Sequence, residues 1–309
     1  MHRLQRHRQR RQPRPGSKGL IVKAVAGVFE VFCEGQYMEA YAAGKFRNMN
    51  LTPMVGDKVL LQLSERAGEK NFITQICTRK NALLRPPVAN VDTLLITVAV
   101  KRPNPDLKLA DELICYCRML DIEPIVCVNK KDYDSQEASF IAQQYQACGI
   151  RTCLTSTLEE NGAEELKSSI GEGIACFCGQ SAVGKSSLTN LLLGRRAFET
   201  GGLSRKTERG RHTTRHCELV AFGSNQWLAD TPGFSLLEIP RLSPQELLAL
   251  YEEYAEYASD CRFSGCVHIK EPDCAVKRAV DEGKLPLPRY ERYKQIYAEV
   301  EQRWRNRYD

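Results

Sequence analysis

The chain has 309 residues, of which 42% are hydrophobic and 27% charged, and its formal net charge is +6. This length leaves room for two or three domains, at least one of them with a sizeable core. The composition is that of a soluble globular protein. The longest apolar run, about Thr93–Val100, is far too short to span a bilayer, so we expect no membrane association.

Residues 1–18 form a basic arm. The arm contains seven Arg and Lys residues and no acid, so the other 291 residues carry 37 basic and 38 acidic groups and are nearly neutral. It has no apolar core of the kind that a secretory signal needs. Such an arm fits a polyanion such as RNA. A disordered, solubilising extension is the alternative interpretation.

Residues 19–80 contain short β segments separated by turn residues. Five short strands in about 60 residues suit a small closed barrel of the OB type. An SH3-like barrel would have much the same sequence pattern. The expected strands are Leu20–Ala26, Val28–Cys33, Tyr37–Ala42, Lys58–Leu63 and Phe72–Cys77.

Residues 82–238 alternate apolar strands with helical stretches. This alternation predicts a mostly parallel sheet with crossover helices, that is, an α/β domain. The expected strands are Thr93–Val98, Pro124–Val128, Thr152–Leu154 and Ile174–Cys178, followed by a hairpin of Cys217–Ala221 and Gln226–Ala229. The expected helices are Leu107–Leu120, Ser135–Ala147 and Ala163–Ile170.

A phosphate-binding loop follows the buried strand Ile174–Cys178. The run from Gly179 fits the pattern GxxxxGK[ST] between a strand and a helix, which is the structural context that this motif requires. Its backbone N–H groups would cradle phosphates, Lys185 would neutralise their charge, and Ser186 would ligate Mg²⁺. The predicted loop comprises Gly179, Gln180, Ser181, Ala182, Val183, Gly184, Lys185, Ser186 and Ser187.

A second motif, at the end of the strand Pro124–Val128, indicates which base is bound. The Asp132 carboxylate can accept two N–H bonds from guanine, whereas adenine offers no matching pair of donors. Asp132 therefore favours GTP over ATP. The motif comprises Asn129, Lys130, Lys131 and Asp132, and Ser156 and Thr157 are expected to support it.

The segment around Asp230 contains the remaining nucleotide motifs. Asp230 and Gly233 of the run Asp-Thr-Pro-Gly would lie near Mg²⁺ and the γ-phosphate, and Thr213 or Thr214 would close on both. Phe234 occupies the position where many GTPases have a water-orienting glutamine, so we expect slow hydrolysis that a partner accelerates.

His212 is a candidate to position the attacking water, although an ordinary exposed loop histidine is the alternative. The predicted catalytic set is His212, Thr213, Thr214 and Lys185, with Ser186 and Thr214 on Mg²⁺.

These motifs occur in a rotated order. The base-reading motif at residues 129–132 precedes the phosphate loop at 179–187, whereas an ordinary GTPase has the phosphate motifs first. The central domain is therefore predicted to be a circularly permuted P-loop GTPase domain, which is feasible because the ends of compact domains often lie close together. The γ-phosphate motifs would then lead directly into the C-terminal region.

Residues 240–309 are predicted to be helical with a metal-binding interruption. Ser243 begins a capping box with proline at the first helical position, and a Tyr-rich stripe near the end of the chain indicates a packed helix face. Three thiols and one imidazole within 14 positions suit one structural, tetrahedral Zn²⁺. The ligands would be Cys261, Cys266, His268 and Cys274.

Taken together, the motifs resemble those of the RsgA (YjeQ/YloQ) family, circularly permuted GTPases that depend on the small ribosomal subunit. The resemblance covers about residues 19–300 and also rests on Arg85-Pro86 and on Asn90-Val91-Asp92. It implies an N-terminal OB domain that contacts rRNA, a central GTPase domain and a C-terminal zinc domain. It also implies subunit-stimulated hydrolysis with a hydrophobic residue at the Phe234 position.

The leading hypothesis is therefore a GTP-hydrolysing factor in late assembly of the small (30S) ribosomal subunit, whose nucleotide state controls rRNA binding and release. The alternative is a non-catalytic, GTP-gated RNA-binding module, and a P-loop ATPase or kinase is disfavoured by Asp132. Thirteen cysteines without a secretory signal indicate the reducing cytoplasm. The expected partners are the subunit, its rRNA and GTP or GDP, and we expect a monomer.

Overall fold

In the computed structural model, the chain divides into two compact units with the boundary between Arg79 and Lys80. The structure describes residues 16–44, 46, 51–64, 69–84, 87–159, 162–194, 217–230 and 242–306. No helix in these ranges is both long enough and apolar enough to cross a bilayer.

The first unit is a closed five-stranded barrel. Its strands pair in the order β1-β2-β3-β5-β4, and pairing of β1 with β4 closes the barrel. The alternation of apolar and polar residues sends one side of each strand into a core that includes Ile21, Val31 and Ile73. The strands are β1 Ser17–Val25, β2 Val28–Cys33, β3 Gln36–Ala42, β4 Lys58–Gln62 and β5 Asn71–Ile76.

A short hairpin opens the second unit. Strands β6 (Ala82–Leu84) and β7 (Pro87–Ala89) are antiparallel. The buried side chain of Asn81 fixes the start of the next strand, since its amide donates to Val91 O at 2.8 Å and accepts from Val91 N at 2.9 Å. This hairpin was not predicted from the sequence.

The second unit is built on a mostly parallel sheet. The spatial order is β10-β9-β8-β11-β13-β12, in which only the β12–β13 pair is antiparallel. The central strand β8 is buried along almost its whole length because helices cover both faces of such a sheet. The strands are β8 Val91–Ala99, β9 Glu123–Asn129, β10 Arg151–Thr155, β11 Gly173–Cys178, β12 Glu218–Gly223 and β13 Gln226–Asp230.

Local capping explains where the first two crossover helices begin. Asp106 and Asp134 each accept a backbone N–H from three residues further on, at 2.9 and 3.0 Å, and so terminate the preceding loops. The helices are α1 Leu107–Met119, α2 Ser135–Gln146, α3 Glu164–Ser169 and α4 Lys185–Leu193.

The C-terminal part of the second unit is helical, as the sequence predicts. The capping box at Ser243 is present, with both reciprocal hydrogen bonds to Glu246. The Tyr-rich stripe of the last helix is a packed face in which Tyr290, Tyr293 and Tyr297 are buried. The elements are α5 Pro244–Ala249, a 3₁₀ turn Glu252–Tyr254, α6 Ala255–Ala258, α7 Ala275–Asp281 and α8 Leu287–Arg305. The expected subdivision of this unit near residue 239 stays a prediction.

A buried ionic network joins α8 to α1 and to the 3₁₀ turn. Arg289, with 1% of its side chain exposed, contacts Asp111 of α1 and donates to Glu253 at 2.8 Å. Arg292 also contacts Asp111, and Arg118 of α1 donates to Glu253 at 2.9 Å. Burial raises the pKa of Glu253, but the guanidiniums of Arg289 and Arg118 outweigh it and the pKa is lowered. Buried ion pairs therefore hold the helical C-terminal part against α1.

Candidate functional site

The phosphate-loop motif forms a tight turn between β11 and α4. Two of its glycines have positive φ, +121° at Gly179 and +103° at Gly184. A Cβ at Gly179 would lie 2.3 Å from the carbonyl oxygen of Thr97, so no larger residue fits. Helix α4 begins without a side-chain cap, which leaves its first N–H groups available to an anion.

Lys185 lies inside this loop. Its ammonium donates to the carbonyl oxygens of Gly179 and Gln180, each at 2.7 Å. Burial lowers the pKa of Lys185, and the nearby Cys178 thiol opposes the shift only in part. Ser181, Ala182 and Ser186 are exposed on the outer side of the loop, and Ser187 is half-buried in the first turn of α4. A polyanion at this helix start would meet a cation, a hydroxyl and open N–H groups together.

Asn129, the last residue of β9, joins the base-reading motif to the phosphate loop. Its buried side chain donates to Val183 O at 2.8 Å and accepts from the Thr155 hydroxyl at 3.0 Å. A Cβ at Gly184 would lie 2.3 Å from the Asn129 amide nitrogen, so this contact requires glycine. The role of Thr155 was not predicted from the sequence, although its position at the end of β10 could have indicated it.

Lys130 makes a second link between the two motifs. Its ammonium donates to Ala182 O at 3.0 Å and to the carbonyl of Arg102 in the loop after β8. Burial lowers the pKa of Lys130, and the Asp132 carboxylate opposes this shift. Lys131 is half-buried and pairs with Glu159 at 2.9 Å.

Asp132 is exposed, but its carboxylate is held in place. The buried Ser156 hydroxyl donates to Asp132 Oδ1 at 2.6 Å and accepts from Leu158 N at 3.2 Å. Thr157 follows and is half-buried. The arrangement presents an oriented carboxylate to a ligand at the edge of the sheet.

These residues share one edge of the sheet for a topological reason. Strands β8, β9, β10, β11 and β13 are parallel, so their carboxyl ends meet at that edge. Asp230, the last residue of β13, is placed there by its backbone. Predicted residues His212, Thr213, Thr214, Gly233 and Phe234 lie outside the described residues, as do Arg85 and Pro86.

A second cluster lies in the helical part. The ligand atoms of Cys261, Cys266, His268 and Cys274 all lie within 4.8 Å of one another, close enough to hold one metal ion. Burial raises the pKa of the Cys261 thiol, but hydrogen bonds from the N–H groups of Ala275 and Val276 outweigh it and lower the pKa. The other ten cysteines form no disulfide bond, and all but the half-buried Cys77 are buried.

The loop that carries these ligands is held by groups that sequence reasoning did not identify. The Glu271 carboxylate accepts from the backbone N–H groups of Val267, Ile269 and Lys270 at 3.0–3.2 Å. The hydroxyl of Tyr290 donates to His268 O at 2.6 Å, and that of Tyr293 donates to Val267 O at 2.8 Å. The ligand loop is thus anchored directly to α8.

Comparison with known proteins identifies the family. The family model of the RsgA GTPase matches residues 76–240, and that of the RsgA N-terminal domain matches residues 18–69. The chain belongs to the RsgA GTPase family. A relative from Caldanaerobacter subterraneus, named small ribosomal subunit biogenesis GTPase RsgA, is 41% identical over 94% of this chain and 98% of its own. A relative of the same name from Clostridium novyi is 40% identical over 94% and 100%.

Two solved structures have the same fold as this chain. YloQ, described as a circularly permuted GTPase, superposes with a TM-score of 0.78 at 30% identity, over 96% of this chain and 98% of that one. YjeQ from Thermotoga maritima superposes with a TM-score of 0.76 at 30% identity, over 92% and 98%. The predicted fold class is therefore confirmed: an OB-type barrel, a circularly permuted GTPase fold and a helical C-terminal part with a potential metal cluster.

Proposed function

We propose that this RsgA-family enzyme hydrolyses GTP as a late assembly factor of the small (30S) ribosomal subunit. The observation that carries the proposal is the pair of links from Asn129 to Val183 and from Lys130 to Ala182. They join a base-reading motif to a phosphate loop through residues that are 54 and 52 positions apart in sequence. A single nucleotide can therefore contact both.

Guanine would be read by Asp132. Its carboxylate, oriented by Ser156 at 2.6 Å, accepts the two N–H groups on one edge of guanine, and adenine has no such pair. Asn129, Lys130, Lys131 and Thr157 would complete the base and ribose side of the site. The selectivity is chemical, since a site built to accept two N–H bonds rejects a base that lacks them.

The phosphates would lie over the start of α4. Residues 179–187 would surround them, and Lys185 would leave its loop carbonyls to neutralise the β- and γ-phosphates. Ser186 and Thr214 would ligate Mg²⁺, with Asp230 on the metal side and Gly233 donating to the γ-phosphate. The Mg²⁺ ion would neutralise charge that develops during hydrolysis.

Phe234 cannot orient the attacking water by a hydrogen bond, so we propose slow intrinsic hydrolysis that the subunit accelerates. His212 is the proposed water-positioning residue, with Thr213 and Thr214 beside it. Replacement of His212 by Ala should abolish most of the stimulated turnover and leave GDP affinity intact. Unchanged stimulated turnover would remove His212 from the mechanism.

The metal cluster is proposed to hold one structural Zn²⁺. Zn–S bonds of about 2.3 Å in a tetrahedron place two sulfurs about 3.8 Å apart, and a sulfur and a nitrogen about 3.6 Å apart. The structure has 3.9 Å between Cys261 and Cys274, 3.6 Å between Cys261 and His268, and 3.3 Å between His268 and Cys274. Elemental analysis should find one zinc per chain, lost in Cys274→Ser and retained in the control Cys77→Ser.

Membership of the family supports the proposed partners. The relatives are named for small-subunit biogenesis, and we propose that this protein binds the subunit and its rRNA as a cytoplasmic monomer. The OB-type barrel and the basic arm at residues 1–18 would contribute to RNA binding, and the nucleotide state would control release.

One assay tests the whole proposal. GTP and ATP turnover are measured with and without purified small subunits, for the wild type and for Asp132→Asn. The proposal is supported if small subunits stimulate the turnover of GTP but not of ATP. Asp132→Asn should weaken GTP binding and improve the binding of xanthosine triphosphate. GTP binding without turnover would favour a non-catalytic RNA-binding module, and a preference for ATP would contradict the proposal.

A further inference from the structure

The outer face of the barrel carries four aromatic rings in two pairs. Phe32 and Tyr37 lie opposite each other on β2 and β3, with ring centroids 5.2 Å apart. Tyr41 and Phe72 lie opposite each other on β3 and β5, at 6.5 Å. Tyr37 is 54% exposed and Phe72 is 40% exposed. We call these four side chains the aromatic face.

The aromatic face is not part of the barrel core. Side chains alternate between the two sides of a strand, and the intervening residues Val31, Ala40 and Ile73 are fully buried. The rings therefore lie on the outer side by register. Single exposed aromatic residues need no explanation, whereas four rings on one face, two exposed and two half-buried, indicate a binding surface.

Two carboxylates lie between the aromatic pairs. The register places Glu30 directly opposite Glu39, in the row between Phe32–Tyr37 and Val28–Tyr41. Both side chains are exposed. Like charges at directly opposed positions destabilise a sheet. On its other side Glu30 lies opposite Lys23 of β1, so this row of the sheet carries a cation beside the two carboxylates.

The chemical groups on the aromatic face indicate that its partner is a nucleic acid with unpaired bases. Nucleobases stack on aromatic rings, and their amino and imino groups donate hydrogen bonds to carboxylates. The same carboxylates repel phosphates, so a bound strand would place its bases inward and its backbone outward. The ammonium of Lys70, 4.4 Å from the Tyr41 ring centroid, lies at one end, where it can meet a phosphate. A duplex cannot bind in this way because its bases are stacked and paired.

The spacing indicates two separate bases. Tyr37 and Tyr41 are four residues apart on β3, which corresponds to about 13 Å. This separation exceeds the width of a single nucleobase, so one base cannot cover both pairs. Guanine offers both an imino and an amino donor on one edge, which suits the paired carboxylates.

We infer that the aromatic face binds unpaired RNA bases, one on each aromatic pair, with a preference for guanine at the carboxylates. This inference rests on the proposed association with rRNA. It specifies which surface of the barrel takes part and that the bound segment is single-stranded.

The test is fluorescence anisotropy with the full-length protein and labelled RNA oligonucleotides. Stacking contributes about 1–3 kcal/mol per base, so Tyr37→Leu and Phe72→Leu should each weaken binding of an unpaired, guanine-containing RNA about 5- to 150-fold. The control Tyr37→Phe keeps the ring and should bind as the wild type does. Glu39→Gln should reduce the preference for guanine over uracil oligonucleotides. Circular dichroism checks that each barrel is folded.

Several outcomes would overturn the inference. One is equal affinity for the single strand and for the same sequence in a duplex. Another is that both leucine variants bind RNA as tightly as the wild type does. If these variants lose only their binding to the small subunit, the aromatic face binds a protein partner instead. Stimulated GTP turnover is measured on the same preparations. If stimulated GTP turnover is absent but oligonucleotide binding is intact, the proposed function is contradicted and this inference is not.

Discussion

Replacement of Arg289 by Met should destabilise the second unit strongly. The guanidinium lies between Asp111, which is fully buried, and Glu253, whose side chain is 4% exposed. Its loss leaves two carboxylates inside the protein with one cation fewer. Breaking a buried ion pair from one side costs about 3–5 kcal/mol because the remaining charge stays out of water. Arg292 and Arg118 still contact the two acids, so we do not expect a larger loss.

Urea unfolding followed by tryptophan fluorescence measures this loss. Both tryptophans, Trp227 and Trp304, lie in the second unit, so their emission does not report on the barrel. With a urea dependence of about 3 kcal/mol per molar for a unit of this size, the midpoint should fall by about 1–1.7 M.

The matched control is Arg303→Met on the same helix. Arg303 is 62% exposed and pairs with Glu299 at 3.3 Å, a contact that contributes less than about 0.5 kcal/mol. Its midpoint should shift by less than about 0.2 M. A shift for Arg289→Met no larger than that of the control would refute the reasoning about the buried network.

Three further results are expected. The folded-state pKa of Glu253 lies below its ordinary value of 4.5, so its ion pairs stabilise the fold above that pH and lose this effect as the pH falls. The difference in unfolding free energy between the wild type and Glu253→Gln should therefore narrow between about pH 6 and pH 3, as measured by urea titrations. Lys130→Met removes one link between the two nucleotide motifs and should weaken GDP binding about tenfold by calorimetry, about 1.4 kcal/mol; unchanged affinity would show that Lys130 does not organise the site. Glu271→Ala frees three backbone N–H groups of the ligand loop and should weaken metal binding about 10- to 100-fold in chelator competition, whereas an exposed control, Glu282→Ala, should not.

Local sequence carries the information for most of the candidate site. The phosphate loop needs glycine where a Cβ would meet Thr97 or Asn129, and that requirement is visible as a motif. The metal ligands lie within 14 positions. In both cases neighbouring residues supply the geometry, so spacing along the chain is enough to predict it.

Contacts between distant segments could not be predicted in this way. Asp111 and Arg289 are 178 residues apart, and nothing near either residue indicates a partner. The hairpin of β6 and β7 has strands of only three residues, too short for a periodic pattern. The aromatic face depends on the register of β3 with β5, which barrel closure fixes and composition does not.

Helix α8 holds both α1 and the metal-ligand loop. Its Arg289 and Arg292 contact Asp111 on α1. Its Tyr290 and Tyr293 donate hydrogen bonds to the ligand loop. A truncated protein that ends before residue 242 would therefore expose a bare carboxylate on α1, beside apolar side chains such as Cys115 that the missing helices normally cover. The GTPase region should not be expressed alone as an autonomous fragment. Studies of its nucleotide chemistry require the intact C-terminus.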